Sequence, residues 1–307
     1  MPRPTARLLL ALPLLTACEK QLTSPLLDFI ATTNALTSDR VVTAPDTFEV
    51  RAFAEAREQD PRLTRFTITA YEENYFITPN VADARDPGPR VYLDTVFTTP
   101  RQTFLFINRF GASANRGRQT WRYTVYDTDG HSASRAYTIR ATPSDSTAPL
   151  HSYSVRLQAP RQRTNRSSLA TARGFVLPPH ATDQPDFWDL TDLLYVPTAT
   201  GPSLAAPSSA AALATRIYRV NRWTNRRGTR LALTTLTASS FDAVTTASTI
   251  TNTVAAARLQ NRAALPVRKG DVLALRTADS LDALVLVRDV GTIAPVELLL
   301  SVKLRRY

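Results

Sequence analysis

The chain has 307 residues, 37 Lys and Arg against 26 Asp and Glu, and a formal net charge of +11. Its length suits about two domains of ~100–200 residues each, and an apolar fraction of 43% excludes wholesale disorder. One Cys excludes an internal disulfide framework and a Cys-rich metal cluster, and no apolar run reaches the ~18 residues of a membrane-spanning helix.

The first twenty residues read as an export signal. Arg3 and Arg7 precede a short apolar stretch from Leu8 to Leu15, and small residues then lead to the single cysteine in Leu15-Thr16-Ala17-Cys18. This resembles the bacterial lipobox. The resemblance implies cleavage before Cys18, a diacylglycerol on its sulfur, and a membrane partner reached through that lipid. A thioether also removes an exposed thiol from an exported protein. Each buried CH₂ adds about 0.8 kcal/mol, so two or three acyl chains anchor stably where one does not. The expected organisation begins with a signal at 1–17 and a lipidated tether at 18–25. Glu19 follows the cysteine where Asp would signal inner-membrane retention, which points to the outer membrane with its face undetermined.

From 26 to 142 the pattern is of strands. Phe48, Val50, Ala52 and Ala54 alternate with Glu49, Arg51, Phe53 and Glu55; Phe66, Ile68 and Ala70 follow the same rule, as do Phe104 with Phe106, and Trp121, Tyr123 and Val125. A closing strand lies over 136–139. Period two in short runs broken by Pro and Gly predicts an antiparallel β-sandwich, of a length that suits an immunoglobulin-like domain without its disulfide. The stretch from Trp121 to Ala133 resembles the last hairpin of bacterial extracellular Ig-like domains. Asp127, Asp129 and Gly130 fit a hairpin turn better than a calcium loop, because the spacing and terminal Glu of an EF-hand are absent.

Residues 143–149, Pro-Ser-Asp-Ser-Thr-Ala-Pro, read as a linker. Charge changes across it. Segment 19–149 holds 15 basic and 16 acidic residues, whereas 150–307 holds 20 basic and 10 acidic. Within 150–307, strands are expected at Tyr153 to Leu157, Leu190 to Val196, Arg230 to Leu236, Val272 to Arg276, Ala283 to Val290 and Val296 to Leu304, the last three as a meander. Short helices are expected after Ser208 or Ser209, through Tyr218, and from a cap at Ser248 through Leu259. The fold class is therefore mainly β: an Ig-like sandwich, then a second, sandwich-like β-rich domain with a few short helices.

Several short motifs recur here in order: Asp192-Leu-Leu-Tyr195, Gly201-Pro-Ser-Leu204-Ala-Ala206-Pro207, Ser240-Phe241-Asp242, Gly270-Asp271-Val-Leu-Ala-Leu275-Arg-Thr277, and an ending on Val302-Lys303. Together they resemble an uncharacterised module of Bacteroidetes surface lipoproteins. The resemblance implies architecture and an envelope setting, and attaches no activity.

No HExxH, G-x-S-x-G or Gly-rich phosphate loop occurs, so no catalytic residue, metal or cofactor is expected. Two clusters invite binding. Asp183, Asp186, Asp189 and Asp192 flank Phe187 and Trp188, a composition that suits calcium or sugar, or else a solvated helical turn with Trp188 in the core. Arg216, Arg219, Arg222, Trp223, Arg226, Arg227 and Arg230 form a basic, aromatic run. An exported protein meets no nucleic acid, so this run would face acidic glycans or lipopolysaccharide phosphates, or else reflect an Arg-rich composition. The candidate binding set is Trp188, Arg219, Arg222, Trp223 and Arg226. Ser146 in Asp145-Ser146-Thr147 resembles a Bacteroidetes O-glycosylation site. The function expected is non-enzymatic binding of a glycan or envelope component. The alternatives are a scaffold contacting an envelope protein and, third, a hydrolase with its site between the domains.

Overall fold

The computed structural model describes residues 25–33, 35–42, 47–57, 61–74, 88–111, 113–114, 117–141, 150–260, 264–294 and 296–305. The signal, Cys18, Ser146 and the 143–149 linker lie outside the described residues. The chain is mainly β, as expected, with four sheets and three short α-helices among the described residues.

Two sheets form the N-terminal sandwich. One orders β1 (Leu26–Phe29), β3 (Thr47–Glu55) and β6 (Thr103–Gly111). The other orders β2 (Arg40–Val42), β8 (Ser132–Ala141), β7 (Gly117–Asp127), β4 (Leu63–Asn74) and β5 (Arg90–Arg101). Alternation sends Val50, Ala52 and Ala54 inward from β3 to meet Phe66, Ile68, Trp121, Tyr123 and Val125. Rings lock the two layers together: Phe110 lies 4.5 Å from Trp121 and Phe66 5.1 Å from Phe104. At the β7–β8 turn Asp127 Oδ1 accepts the N–H groups of Asp129 (3.0 Å) and His131 (2.9 Å), with Gly130 at φ +84°. That carboxylate closes a hairpin, as its sequence predicts.

The C-terminal half stacks four layers. One sheet orders β14 (Arg230–Leu233), β16 (Val272–Arg276), β17 (Asp282–Val290), β18 (Glu297–Arg305) and β9 (Leu150–Gln158). Its partner sheet orders β11 (Phe175–Leu177), β10 (Ser168–Ala170), β12 (Leu193–Thr198), β13 (Gly201–Ala205) and β15 (Leu265–Pro266). Helices α2 (Ala238–Asp242) and α3 (Ala247–Ala256) cover the first sheet. Helix α1 (Ala210–Ala214) and two 3-10 turns cover the second. Covering explains the unbroken apolar run of β17: Ala283, Val285 and Val287 point between the sheets, while Leu284 and Leu286 point at the helices. β12 is the same, with Leu193 and Tyr195 on one face and Leu194 and Val196 on the other.

The expected linker does not divide the hydrophobic cores. Ala170, Phe175, Leu177, Ala181 and Phe187 complete the core of the N-terminal sandwich. Across this junction Asp186 Oδ2 accepts the Val91 N–H at 2.7 Å, Arg90 Nη1 donates to Asp186 O at 2.9 Å, and Arg173 pairs with Glu72. Gly174 needs its bare Cα twice over: its φ is +57°, and a Cβ would collide with Ala114 and reach the Tyr153 ring at 3.0 Å.

Candidate functional site

The tryptophans expected at a ligand are packed into the protein. Trp223 follows the 3-10 turn Val220–Arg222 and is only 4% exposed, in a cluster with Leu194, Val196, Ala205 and Tyr218. Trp188 lies half-buried over it, ring planes 13° apart and centroids at 6.3 Å, and its Nε1 donates to Thr182 O at 3.0 Å. One tryptophan thus covers the other.

The arginines separate. Arg219 sits in the left-handed region (φ 51°) between two 3-10 turns, and its Nη1 meets Asp183 Oδ2 at 3.2 Å, a carboxylate shared with Arg163. Arg222 and Arg226 are exposed and make no ion pair among the described residues. Arg227, an arginine of the basic run left out of the candidate binding set, is 8% exposed. Its Nε donates to Asp192 Oδ1 at 2.8 Å, its Nη1 to Asp189 O at 2.5 Å, and its Nη2 to Asp279. Burial pushes the Asp192 carboxyl up; Arg227 and the Thr171 N–H, at 2.7 Å from Oδ2, pull it back. The signal for Arg227 was available only as an acidic partner 35 residues away, which spacing along the chain does not reveal.

The four aspartates do not form one helical face. Pro185–Phe187 is a single 3-10 turn, and each carboxylate has separate work. Asp183 holds Arg163 and Arg219, Asp186 caps the edge of β5, Asp189 accepts from Asn225, and Asp192 holds Arg227. Among the described residues no group of three or more His, Cys, Asp or Glu could hold a metal.

The recurring motifs turn out to be joints. Asp242 pairs with Arg288, which holds the Asp242 carboxyl below its ordinary range. Lys303 Nζ donates to the carbonyls of Phe241 (3.0 Å), Asp242 (2.8 Å) and Val244 (2.8 Å), closing the C-terminal end of α2. Asp271 Oδ2 accepts the Arg268 N–H at 2.7 Å beside Gly270 at φ +92°, shaping the turn into β16.

A concavity lies elsewhere. A groove of about 760 Å³ opens between β14 and the C-terminal end of α3. Leu231, Leu233, Leu236 and Leu265 give it apolar walls; Asn252, Thr253, Arg258 and Gln260 give it polar ones. Leu233 is 48% exposed. The volume is within the ~300–1,000 Å³ of ligand sites. An apolar wall buries a ligand's carbon surface, and the amide, hydroxyl and guanidinium groups opposite can fix its polar ends. The described lining residues fall in 231–260 and 264–265, none of them among the junction residues named above. No signal in the sequence could have found it, since its walls come from a strand edge and a helix end.

No family model and no curated protein matches the chain. Among solved structures it is similar to a DUF4466 family protein from Parabacteroides merdae, a member of the Bacteroidetes. That likeness has 11% identity and a TM-score of 0.34, and covers 93% of this chain and 99% of the other. It is also similar to a variant form of the superoxide reductase (neelaredoxin) of Ignicoccus hospitalis, at 15% identity and a TM-score of 0.25, over 39% of this chain and 80% of that one.

Proposed function

We propose that this is a lipid-anchored outer-membrane protein, attached through Cys18, that works by non-enzymatic binding of an envelope component. The observation that carries the binding half is the open groove between β14 and α3, with an exposed leucine on one wall and polar groups on the other. In this reading the N-terminal sandwich is an Ig-like spacer that lifts the groove away from the lipid. The Trp188 and Trp223 rings brace the module instead of stacking on a sugar, because Trp223 is enclosed and Trp188 shields it.

The test is binding of the soluble 26–307 chain to purified cell envelopes, measured for the parent, Leu233→Glu and Trp188→Ala. Saturable binding that falls at least tenfold in Leu233→Glu and persists in Trp188→Ala supports the groove. Equal binding by the parent and Leu233→Glu refutes it, and loss confined to Trp188→Ala returns the site to the aromatic face.

A further inference from the structure

Strand β14 is the open edge of its sheet, and the direction of its unused backbone groups can be worked out. Thr234 N–H donates to Val272 O at 2.9 Å. Residues of an antiparallel ladder alternate between facing the partner strand and facing away. Arg230, Ala232 and Thr234 therefore bond toward β16, and Leu231 and Leu233 turn their N–H and C=O outward.

The outward groups of Leu231 are filled. Gln260 exchanges both bonds with Leu231, at 2.7 and 2.9 Å, in an isolated antiparallel bridge. Two residues on, the opposing chain has left: Leu259 N–H turns back to Ala257 O at 3.0 Å and the backbone joins the end of α3. Leu233 consequently faces the groove with no strand opposite it among the described residues.

Resting on the groove reading above, we propose that the occupant is an extended peptide segment of a partner protein, which adds to β14 as a further strand. A backbone donor and acceptor paired on one residue, beside a bridge already made by Gln260, are completed by another backbone in register. The hydroxyls of a sugar do not repeat with that spacing. Main-chain pairing supplies affinity in such strand addition, and pockets for alternate side chains supply selectivity. Here Leu233, Leu236 and Leu265 receive an apolar side chain, and the exposed Arg258 at the rim favours an acidic one beside it.

The edge is short and half covered by Gln260, and its uncovered part carries no further blunting feature. Exposed edges are commonly blunted by Pro, Lys or a bulge, or by a covering segment. β15 carries Pro266, and Asp186 takes the Val91 N–H at the edge of β5. From 231 to 235 the sequence is Leu-Ala-Leu-Thr-Thr, and the pairing of 230–233 with β16 is unshifted.

A random peptide library displayed on phage is selected against the folded 26–307 chain. The selected peptide is then made with each backbone nitrogen methylated in turn, and binding is read by fluorescence anisotropy. Strand addition predicts at least tenfold loss at the one methylated position whose N–H would meet Leu233 O, and tolerance at the positions on either side of it. It also predicts loss in Leu233→Glu and in Thr253→Lys on the facing wall, both checked for native circular dichroism. Sensitivity to both variants with indifference to methylation everywhere overturns strand pairing and leaves the groove standing. Dimerisation of the chain in sedimentation, abolished by Leu233→Glu, makes a second copy the occupant and overturns the partner. Failure to select any peptide that responds to either variant overturns the inference, and the envelope assay then decides the groove separately.

Discussion

His180 shows what burial does to a single residue. Its ring lies 5.1 Å from that of Tyr92 and 5.7 Å from that of Phe106, at the junction of the two halves, and its Nδ1 meets Arg163 O at 3.0 Å. Desolvation lowers its pKa from 6.5 to about 4, with the Arg163 carbonyl opposing that shift. The unfolded chain takes up this proton as the pH falls through about 6.5, whereas the folded chain resists until about 4. The contribution is therefore complete above pH 6.5 and is lost progressively down to about pH 4, roughly 3 kcal/mol in all at 1.36 kcal/mol per pKa unit. Urea midpoints measured between pH 4.5 and 7.5 should fall with acid, and His180→Gln should flatten that slope whatever its effect at neutral pH. Equal slopes would assign the acid sensitivity to other groups. Arg227 makes the complementary point, since desolvation works against its charge and Asp192 and Asp279 more than offset it.

At the scale of elements, caps decide where helices begin. Ser209 is the cap of α1, its Oγ accepting the Ala212 N–H at 3.1 Å, as the sequence suggests. For α3 the sequence offers Ser248, but Thr246 does the capping, its Oγ1 accepting the Thr249 N–H at 3.3 Å. Thr246→Ala should cost about 1 kcal/mol in thermal or urea unfolding and Ser248→Ala only a few tenths; equal costs would contradict the cap assignment. The two-residue difference arises because four hydroxyl residues, Thr245, Thr246, Ser248 and Thr249, crowd the helix start, and only backbone geometry selects among them. The same physics divides what was legible elsewhere. β3, β4 and β7 are read directly from alternation, because each faces the core on one side. β17 and β12 are read as apolar runs, because both sides are covered. β10, β11 and β15 escape, since two or three residues set no period, and β5 hides its alternation behind register shifts against β4. The burial of Trp223 is illegible for a related reason. Composition marks Trp223 and its arginines, but only packing tells a buried ring from a displayed one.

For the whole molecule, the shared core makes a thermodynamic claim. A spacer and a binding module joined by a simple tether would melt separately. Here Phe175, Leu177 and Phe187 from the C-terminal half are buried against Trp121 and Tyr92 of the sandwich, with centroids of 6.2 Å for Phe175–Trp121 and 5.8 Å for Phe187–Tyr92. Fully burying a side chain of that size contributes about 1.5–3 kcal/mol, and these three belong to both halves. Unfolding either half exposes them, so its cost is charged to the other. The polar bridges at the junction act in the same direction: losing the sandwich leaves Asp186 and Arg173 without Val91 and Glu72. We therefore expect the 26–307 chain to unfold in one calorimetric transition, with the calorimetric and van't Hoff enthalpies equal. Two resolved transitions would show that the halves are separately stable and that the junction is a docking contact. Gly174→Ala sharpens the measurement, because the added methyl strikes Ala114 on the sandwich side and Tyr153 on the module side at one point. In a single cooperative unit that substitution lowers one midpoint. In two independent units it would instead lower the transition of the half that carries Gly174 and Tyr153 and leave the other where it was. A single transition would also bear on function, for a junction that unfolds only with both halves would hold the groove at a fixed orientation to the sandwich.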